Sequence, residues 1–244
     1  MATQHTVKSF DDELKRLDNL IAEIGGQTEL QLASCIDALL RRDVEKAAQI
    51  TVNDQRIDRL EEEIDRQTVN MLALRQPMAR DLREIVGALK TASLIERIGD
   101  YAKNVAKRTA AIADSQQAMP VQSVVRLGHL AQEMVKDVLD AYLSRDLEKA
   151  DIVRIRDREL DSLHTSLFRE FLTYMMEDAR NITACTHLLF VAKNFERVGD
   201  HATNIAEIIH FQITGERPRD DRPKGDATSY TVVTAPQGLE IDED

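Results

Sequence analysis

Apolar residues recur every three or four positions along the chain from Phe10 to Ile213. This spacing places them on one side of an α-helix, so the pattern predicts a series of long amphipathic helices. The composition agrees, because nine Gly, five Pro and no Trp leave few signals for a turn-rich β fold. The fold class predicted from the sequence is therefore all-α.

Breaks in the pattern divide the first half of the chain into three helices. The first continues past a weak point at Gly25 and Gly26 and ends at a turn that closes with Asp43, whose side chain suits the N-cap of the second helix. Pro77 ends the second helix, because the residue before a proline is pushed out of the α region. The third helix is predicted from about residue 80 to residue 112.

The second half of the chain has the same order of helices. A fourth helix is predicted over 124–143, a fifth after a cap at Asp146, and a sixth after the turn at 178–180. Short turns make neighbouring helices antiparallel. The sequence therefore predicts two tandem three-helix bundles with six long antiparallel helices.

The residues themselves repeat between the halves. E-R-I-G-D-Y-A-K-N at 96–104 recurs as E-R-V-G-D-H-A-T-N at 196–204, and R-D-V-E-K-A at 42–47 recurs as R-D-L-E-K-A at 145–150. A recurrence of this extent indicates an internal duplication.

Three segments follow from the duplication. The first three-helix repeat is predicted over residues 1–115 and the second over 116–213. Residues 214–244 show little periodicity and end in the acidic stretch 240–244, so this tail is expected to be disordered.

The formal net charge of −11 narrows the choice of partners. It argues against nucleic-acid binding, which depends on basic residues that neutralise phosphates. It is compatible with the binding of cations or of a basic protein surface.

Several features favour the cytoplasm. Cys35 and Cys185 lie within helical patterns without a CxxC neighbour, so they are expected to be buried free thiols. The first five residues lack the apolar core of a signal peptide. The longest apolar run, at 188–192, is far shorter than the roughly 18 residues that a membrane span needs.

One sequence motif contains residues that could bind a ligand, and it occurs in the third helix of each repeat. The motif is E-R-x-G-D-x-A-x-N. Residues four apart lie on one helix face, so its carboxylates form a row that the asparagine extends by one turn. The rows comprise Glu96, Asp100 and Asn104 in the first half and Glu196, Asp200 and Asn204 in the second. Two carboxylates and an amide are oxygen ligands that suit a hard cation. A single such row would be an ordinary solvated face, but two copies favour a shared specialised role.

The second and fifth helices carry further acids. Asp58 and Glu96 lie at similar distances from the turn that joins their helices, and Asp161 and Glu196 do so in the second half. Antiparallel pairing brings each pair to a similar height, while the azimuth is left open. Gly99 of the motif is expected to allow close helix packing, because glycine otherwise costs roughly 1 kcal/mol inside a helix.

Signatures of catalysis are missing. The sequence contains no GxxxxGK[ST] loop, no HExxH and no Glu-x-x-His pair of the di-iron type. The nearest approach is Asp161 with His164, which has no counterpart in the first half. We therefore expect a protein without enzymatic activity. A dimerising structural bundle and a di-iron-type metalloprotein are the alternatives.

At these residues the chain resembles the PhoU family of phosphate-specific transport system accessory proteins. The resemblance covers about residues 10–212 and is most specific at 76–83, 96–100 and 196–207. It implies two three-helix bundles with pseudo-twofold symmetry and a cytosolic regulator that represses the phosphate-starvation response. It also implies contacts with the phosphate ABC transporter, through its ATPase subunit, and with the phosphate-sensing histidine kinase. A homodimer is also expected, since the long helices have small-residue faces.

The resemblance further implies that the acidic motifs bind metal ions. Some family members bind iron, zinc or other metals through acidic E(D)xxxD motifs, and magnesium and manganese remain open here. The motifs fall on four residues, with three weaker candidates: Glu96, Asp100, Glu196 and Asp200, then Asp58, Asp81 and Asp161. Partner binding or support of the motif is expected from the four remaining polar motif residues: Arg97, Asn104, Arg197 and Asn204. Asn181 stands where Asp81 would recur, so the two sites are expected to differ in occupancy.

Overall fold

The computed structural model describes residues 2–113, 120–218 and 228, with side chains from residue 10 onward. Within these ranges the chain is helical and contains no strand, which confirms the all-α prediction. The helices are α1 (Ala2–Arg41), α2 (Val44–Asn53), α3 (Gln55–Arg75), α4 (Ala79–Ile112), α5 (Val121–Ser144), α6 (Leu147–Glu177) and α7 (Ile182–Thr214), with a 3-10 turn at Ala179–Asn181 before α7.

Two predicted N-caps are confirmed by hydrogen bonds. Asp43 accepts a hydrogen bond from the Lys46 backbone N–H at 2.9 Å, and Asp146 accepts one from the Lys149 backbone N–H at 3.1 Å. Each carboxylate satisfies an N–H group that the first helical turn leaves without a partner. The duplicated R-D-x-E-K-A segments therefore start α2 and α6 in the same way.

The predicted second helix is interrupted at one residue. Asp54 separates α2 from α3, and the chain continues in nearly the same course. Helix α3 ends before Pro77 as predicted, with Gln76 in the left-handed region at φ 47°. By contrast, α1 runs through Gly25 and Gly26 without a break. Gly25 allows α5 to approach, because a Cβ there would lie 3.0 Å from Leu139 Cδ1.

The two halves share one hydrophobic core. Helices α4 and α7 pack antiparallel at the centre, α1 to α3 pack on α4, and α5 and α6 pack on α7. Helix α1 also packs on α5, where a Cβ on Gly128 would lie 3.1 Å from Ile36 Cγ1 and 2.9 Å from Phe195 Cζ. Apolar side chains from both halves thus form a continuous cluster.

The pseudo-twofold axis passes between α4 and α7. Tyr101 and His201 occupy equivalent positions of the two motifs, and their rings meet edge to face with centroids 5.3 Å apart. The predicted boundary at 115/116 falls in 114–119, outside the described residues, as does most of the predicted tail. The domain boundaries stay predictions.

Two other expectations concern thiols and membranes. Cys35 and Cys185 are free and buried, as predicted. None of the helices that the structure describes has the length and apolar character that crossing a bilayer requires.

Candidate functional site

Acidic side chains of α3 and α4 come together in the first half. Glu96 and Asp100 lie on one face of α4, and Asp58 and Glu61 of α3 face them closely enough to interact electrostatically. Partial burial, and then the charges of Asp100, Asp58 and Glu61, raise the pKa of Glu96 to about 7. The helices therefore match in azimuth as well as in height, and we refer to these four residues as the first acidic cluster.

A lysine lies between the carboxylates of this region. Lys103 donates hydrogen bonds to Asp100 Oδ1 at 2.5 Å and to Asp54 Oδ2. Asp54 is 3 % exposed, and its Oδ1 accepts a hydrogen bond from Gln31 Nε2 at 2.7 Å. Gln31 also donates to the Gly99 carbonyl at 3.0 Å, which ties α1, α2 and α4 together. The chain itself thus supplies a cation at this position.

Burial opposes the charge of Lys103, but hydrogen bonds from its ammonium group to Asp100 and Asp54 raise its pKa above the ordinary value. Lys103 was not among the site residues predicted from the sequence. The available signal was its position three residues after Asp100, which is ion-pair spacing on a helix.

The second half differs at the equivalent position. Thr203 replaces the lysine, is fully buried, and donates a hydrogen bond to the Gly199 carbonyl at 3.0 Å. Its acids are also more deeply buried, since Asp161 is 3 % exposed whereas its counterpart Asp58 is exposed. Glu196 is 5 % exposed and forms an ion pair with Lys193, whose Nζ lies 2.9 Å from Glu196 Oε2.

Two further buried side chains of α6 lie about one helical turn from Asp161, one on either side of it. His164 is 3 % exposed, and Asp157 is 1 % exposed with its Oδ1 3.5 Å from the position of a Cβ on Gly199. We refer to the five acidic and histidine side chains as the second acidic cluster: Asp157, Asp161, His164, Glu196 and Asp200.

The motif glycines let the helices approach, as predicted. A Cβ on Gly199 would overlap Leu160 Cδ2 of α6, and one on Gly99 would lie 3.0 Å from Ile57 Cδ1 of α3. A larger residue would push these helices apart. The glycines therefore place the acids of α3 and α6 beside those of α4 and α7.

The other predicted site residues lie elsewhere. Asp81 is in the first turn of α4, 15 residues before Glu96, a separation of about 22 Å at 1.5 Å per residue. Arg97 and Arg197 are exposed, and the Arg197 guanidinium lies 5.9 Å from the centre of the Tyr101 ring. Asp81 therefore does not join the first acidic cluster.

Asn104 and Asn204 are half-buried. Asn204 lines a cleft between α4 and α7.

The oxygen and nitrogen ligands in the two clusters are of types that bind metal ions, but among the described residues they are not arranged as a metal site. Among the side chains that the structure describes, no three from His, Cys, Asp and Glu form a group that could hold a metal ion. In the first cluster the Lys103 ammonium lies where a cation would be attracted. The metal assignment stays a prediction.

Comparison with known proteins gives the family. The model of the PhoU domain matches residues 21–109 and 124–209, one match in each half of the chain. The chain belongs to the PhoU family.

Relatives support this over nearly the full length. A Caulobacter vibrioides protein, described as a phosphate-specific transport system accessory protein PhoU homolog, is 52 % identical over 93 % of this chain and 99 % of its own. One from Rhizobium meliloti with the same description is 49 % identical over 94 % and 97 %.

Solved PhoU structures share the fold. The crystal structure of PhoU from Pseudomonas aeruginosa matches with a TM-score of 0.83 at 35 % identity, over 85 % of this chain and all of that one. PhoU from Streptococcus pneumoniae, titled a phosphate transport system regulatory protein, matches with a TM-score of 0.80 at 27 % identity, over 86 % and 99 %. The predicted family and the duplicated three-helix fold are confirmed.

Proposed function

We propose that this chain is an accessory protein of a phosphate transport system, which regulates phosphate uptake from the cytoplasm without catalysing a reaction. Membership of the PhoU family and the descriptions of its relatives support this role. The finer proposal is an adaptor that contacts the ATPase subunit of the phosphate ABC transporter and the phosphate-sensing histidine kinase. As in the sequence analysis, we expect it to act as a homodimer that represses the phosphate-starvation response.

The observation that carries the adaptor proposal is the duplicated motif on the two central helices. Its glycines and acids face the neighbouring helices, while Arg97 and Arg197 remain exposed. Tyr101 and His201 hold the two copies together at the pseudo-twofold axis. An arginine pair on a rigid helical surface suits recognition of a partner, because arginine is enriched at interface positions that contribute strongly to affinity.

Binding to the purified transporter and kinase tests this proposal. Replacement of Arg97 and Arg197 by Ala is expected to weaken binding to at least one partner by about tenfold or more. The matched control replaces Arg158 and Arg169, two exposed arginines of α6, by Ala and should leave affinity unchanged. Equal affinities for wild type and both variants would contradict the role of the motif and favour a purely structural bundle.

We further propose that the acidic rows bind a metal ion, with the second acidic cluster as the stronger candidate. It offers buried carboxylate oxygens and an imidazole, and it has Thr203 in place of the lysine. A metal ion would compete with Lys103 for Asp100 in the first cluster, and in the second with Lys193 for Glu196, although the Lys193 side chain is the more exposed of the two lysines. A bound cation would offset the repulsion between carboxylates that raises the pKa of Glu96.

Metal content measured by mass spectrometry tests the metal proposal on protein prepared without tag or chelator. We expect stoichiometric metal in the wild type, and its loss when Glu196→Gln is combined with Asp200→Asn. The control combines Asp140→Asn with Glu159→Gln, which removes two exposed carboxylates elsewhere. Lys103→Thr should add metal to the first half. A metal-free wild type would refute the metal proposal and leave the adaptor proposal standing.

A further inference from the structure

A cleft of about 490 Å³ opens between α4 and α7, near the end of α7. Small-molecule sites commonly occupy clefts of roughly 300–1,000 Å³ between helices, with apolar walls and a few convergent polar groups. The α4 side carries Lys90 and Ser93, and the α7 side carries Asn204, Glu207 and Phe211. The size and the mixed lining therefore fit a small organic ligand.

Two cations face this cleft. Lys90 and Arg217 both line it, and neither forms an ion pair with another of the residues that the structure describes. The chain has 43 acidic and 32 basic residues, so two cations that share a concave surface stand out against the overall negative charge. A concave surface concentrates their field. An anionic group on the ligand is therefore favoured here.

The remaining lining shows what else the ligand carries. Leu94, Ile208 and Phe211 form an apolar wall that an inorganic anion would not use. Glu207 also faces the cleft without an ion pair to any described residue, and a carboxylate accepts hydrogen bonds from hydroxyl or amino groups. The lining thus suits a molecule with an anionic end, hydroxyl groups and a flat apolar part.

The site that corresponds to the cleft under the pseudo-twofold symmetry lacks this arrangement. The motif offset of 100 residues places Phe190 at the position of Lys90 and Arg108 at the position of Ile208. There the Arg108 guanidinium stacks on the Phe190 ring at 4.1 Å and lies 3.4 Å from His187 Nδ1. In that half the cation and the aromatic ring contact each other, whereas in the cleft Lys90 and Phe211 both face open space.

One end of the cleft is rigid. A Cβ on Gly87 would overlap the Gln212 side chain, so α4 and α7 are in close contact there. Gln212 is 2 % exposed, and its Nε2 donates to the Glu84 carbonyl at 3.2 Å. Arg83 Nε donates to the Gln212 carbonyl at 3.4 Å. A site held by such contacts needs little rearrangement to bind a ligand.

We propose that this cleft binds a nucleoside phosphate. The phosphate groups lie between Lys90 and Arg217, with Ser93 and Asn204 as hydrogen-bond donors. The base packs against Phe211 and the other apolar side chains of the wall. The ribose hydroxyls donate to Glu207. Apart from Asn204, which also extends the second acidic row, this assignment uses none of the residues on which the adaptor and metal proposals rest.

Isothermal titration calorimetry on the full chain tests it, with ADP, AMP and inorganic phosphate as separate probes. We expect saturable one-to-one binding of ADP, weaker binding of AMP, and much weaker binding of phosphate. Lys90→Glu combined with Arg217→Glu should weaken ADP binding by about tenfold or more. The matched control combines Lys107→Glu on α4 with Arg158→Glu on α6, both exposed, and should change it by less than about twofold.

Two further variants test whether the apolar wall contributes to binding in addition to the charges of Lys90 and Arg217. Ser93→Trp should fill the cleft and abolish binding, and Phe211→Ser should weaken ADP binding more than phosphate binding, with circular dichroism to verify that each variant is folded. The proposal is overturned if ADP shows no saturable binding up to about 1 mM. It is also overturned if the cleft variant (Lys90→Glu with Arg217→Glu) and its control bind ADP with equal affinity. Equal affinities of the wild type for phosphate and ADP would overturn it as well.

Discussion

Lys103 and Thr203 occupy the same position in the two copies of the motif, with different consequences for the acids around them. Lys103 bonds to Asp100 and to the buried Asp54, so the first half has an internal counter-ion. Thr203 bonds to the helix backbone instead. Both copies of the motif have the carboxylates, but only the first copy has a lysine at this position. The two halves therefore have different electrostatic environments despite equivalent backbones.

Replacement of Lys103 by Met should show the value of this counter-ion. Asp54 would keep its hydrogen bond to Gln31 but lose the ammonium group, and a buried charged group that loses a partner costs about 1–3 kcal/mol. We expect the free energy of unfolding to fall by that amount in urea titrations at pH 7. Lys107→Met on the exposed face of α4 should leave it nearly unchanged. Equal stability of the two variants would contradict the role assigned to Lys103.

Glu96 should make stability depend on pH. Burial and the neighbouring carboxylates raise its pKa to about 7, above the ordinary value of 4.5 for a glutamate side chain. Its contribution to stability is therefore full below about pH 4.5 and is lost as the pH rises through 7.

Glu96→Gln removes this dependence. Thermal melts should show the variant gaining stability over wild type between pH 5 and pH 8, because only the wild-type side chain acquires a charge there. Glu159→Gln, an exposed acid of α6, serves as the control and should show no such change. A pH-independent difference between Glu96→Gln and wild type would contradict the shifted pKa.

At the scale of elements, glycines differ in what they contribute. Gly26 lies in the middle of α1, and nothing lies within 4 Å of the Cβ that it lacks. Gly199 lies in α7, where that Cβ would overlap Leu160 of α6. The first glycine weakens its helix without a packing contact in return. The second brings two helices together at the second acidic cluster.

Substitution of each glycine by alanine should therefore have opposite effects. Gly26→Ala is expected to raise the free energy of unfolding by about 1 kcal/mol through helix propensity. Gly199→Ala should lower it by about 1–3 kcal/mol, because the added methyl group forces Leu160 from its place. Urea unfolding of both variants measures this. A stabilising effect of Gly199→Ala would mean that α6 and α7 are not in close contact there.

At the scale of the whole molecule, the two repeats are not independent. Helix α1 packs on α5 and α4 packs on α7, so each repeat covers apolar surface of the other. The buried side chains form one cluster that spans both halves. Separated repeats would expose that surface to water, which costs roughly 25 cal/mol per Å² of apolar area. The shared core therefore couples the unfolding of the repeats.

Equivalent core substitutions in the two halves test this coupling. Ile64→Ala in α3 and Leu167→Ala in α6 each remove a fully buried side chain, at a cost of about 2–5 kcal/mol. Each variant should lower one common melting transition, measured by circular dichroism and by hydrogen exchange of peptides from both halves. Two separated transitions in either variant would show that the repeats unfold independently.

The family, the order of the helices and most of their ends could be predicted from the sequence alone, but the interruption of the second helix at Asp54 could not. Asp43 and Asp146 act through hydrogen bonds to residues three positions away, and Pro77 acts through steric repulsion of the residue before it, so local chemistry decides where those helices begin and end. The duplication was equally visible, because the motif recurs in the letters themselves. Helical spacing also placed each row of acids on a single face.

Only the tertiary structure decided how the rows meet their surroundings. The rotation of α3 and α4 about their axes decides which side chains meet. It places Asp58 and Glu61 opposite Glu96. It also places Lys103 between Asp100 and Asp54. That rotation follows from the packing of side chains distant in sequence, such as Ile57 on Gly99. The cleft at Lys90 likewise arises between residues of α4 and α7 that are more than 100 positions apart in the sequence. No local pattern encodes such contacts, because each depends on the shape of both partners.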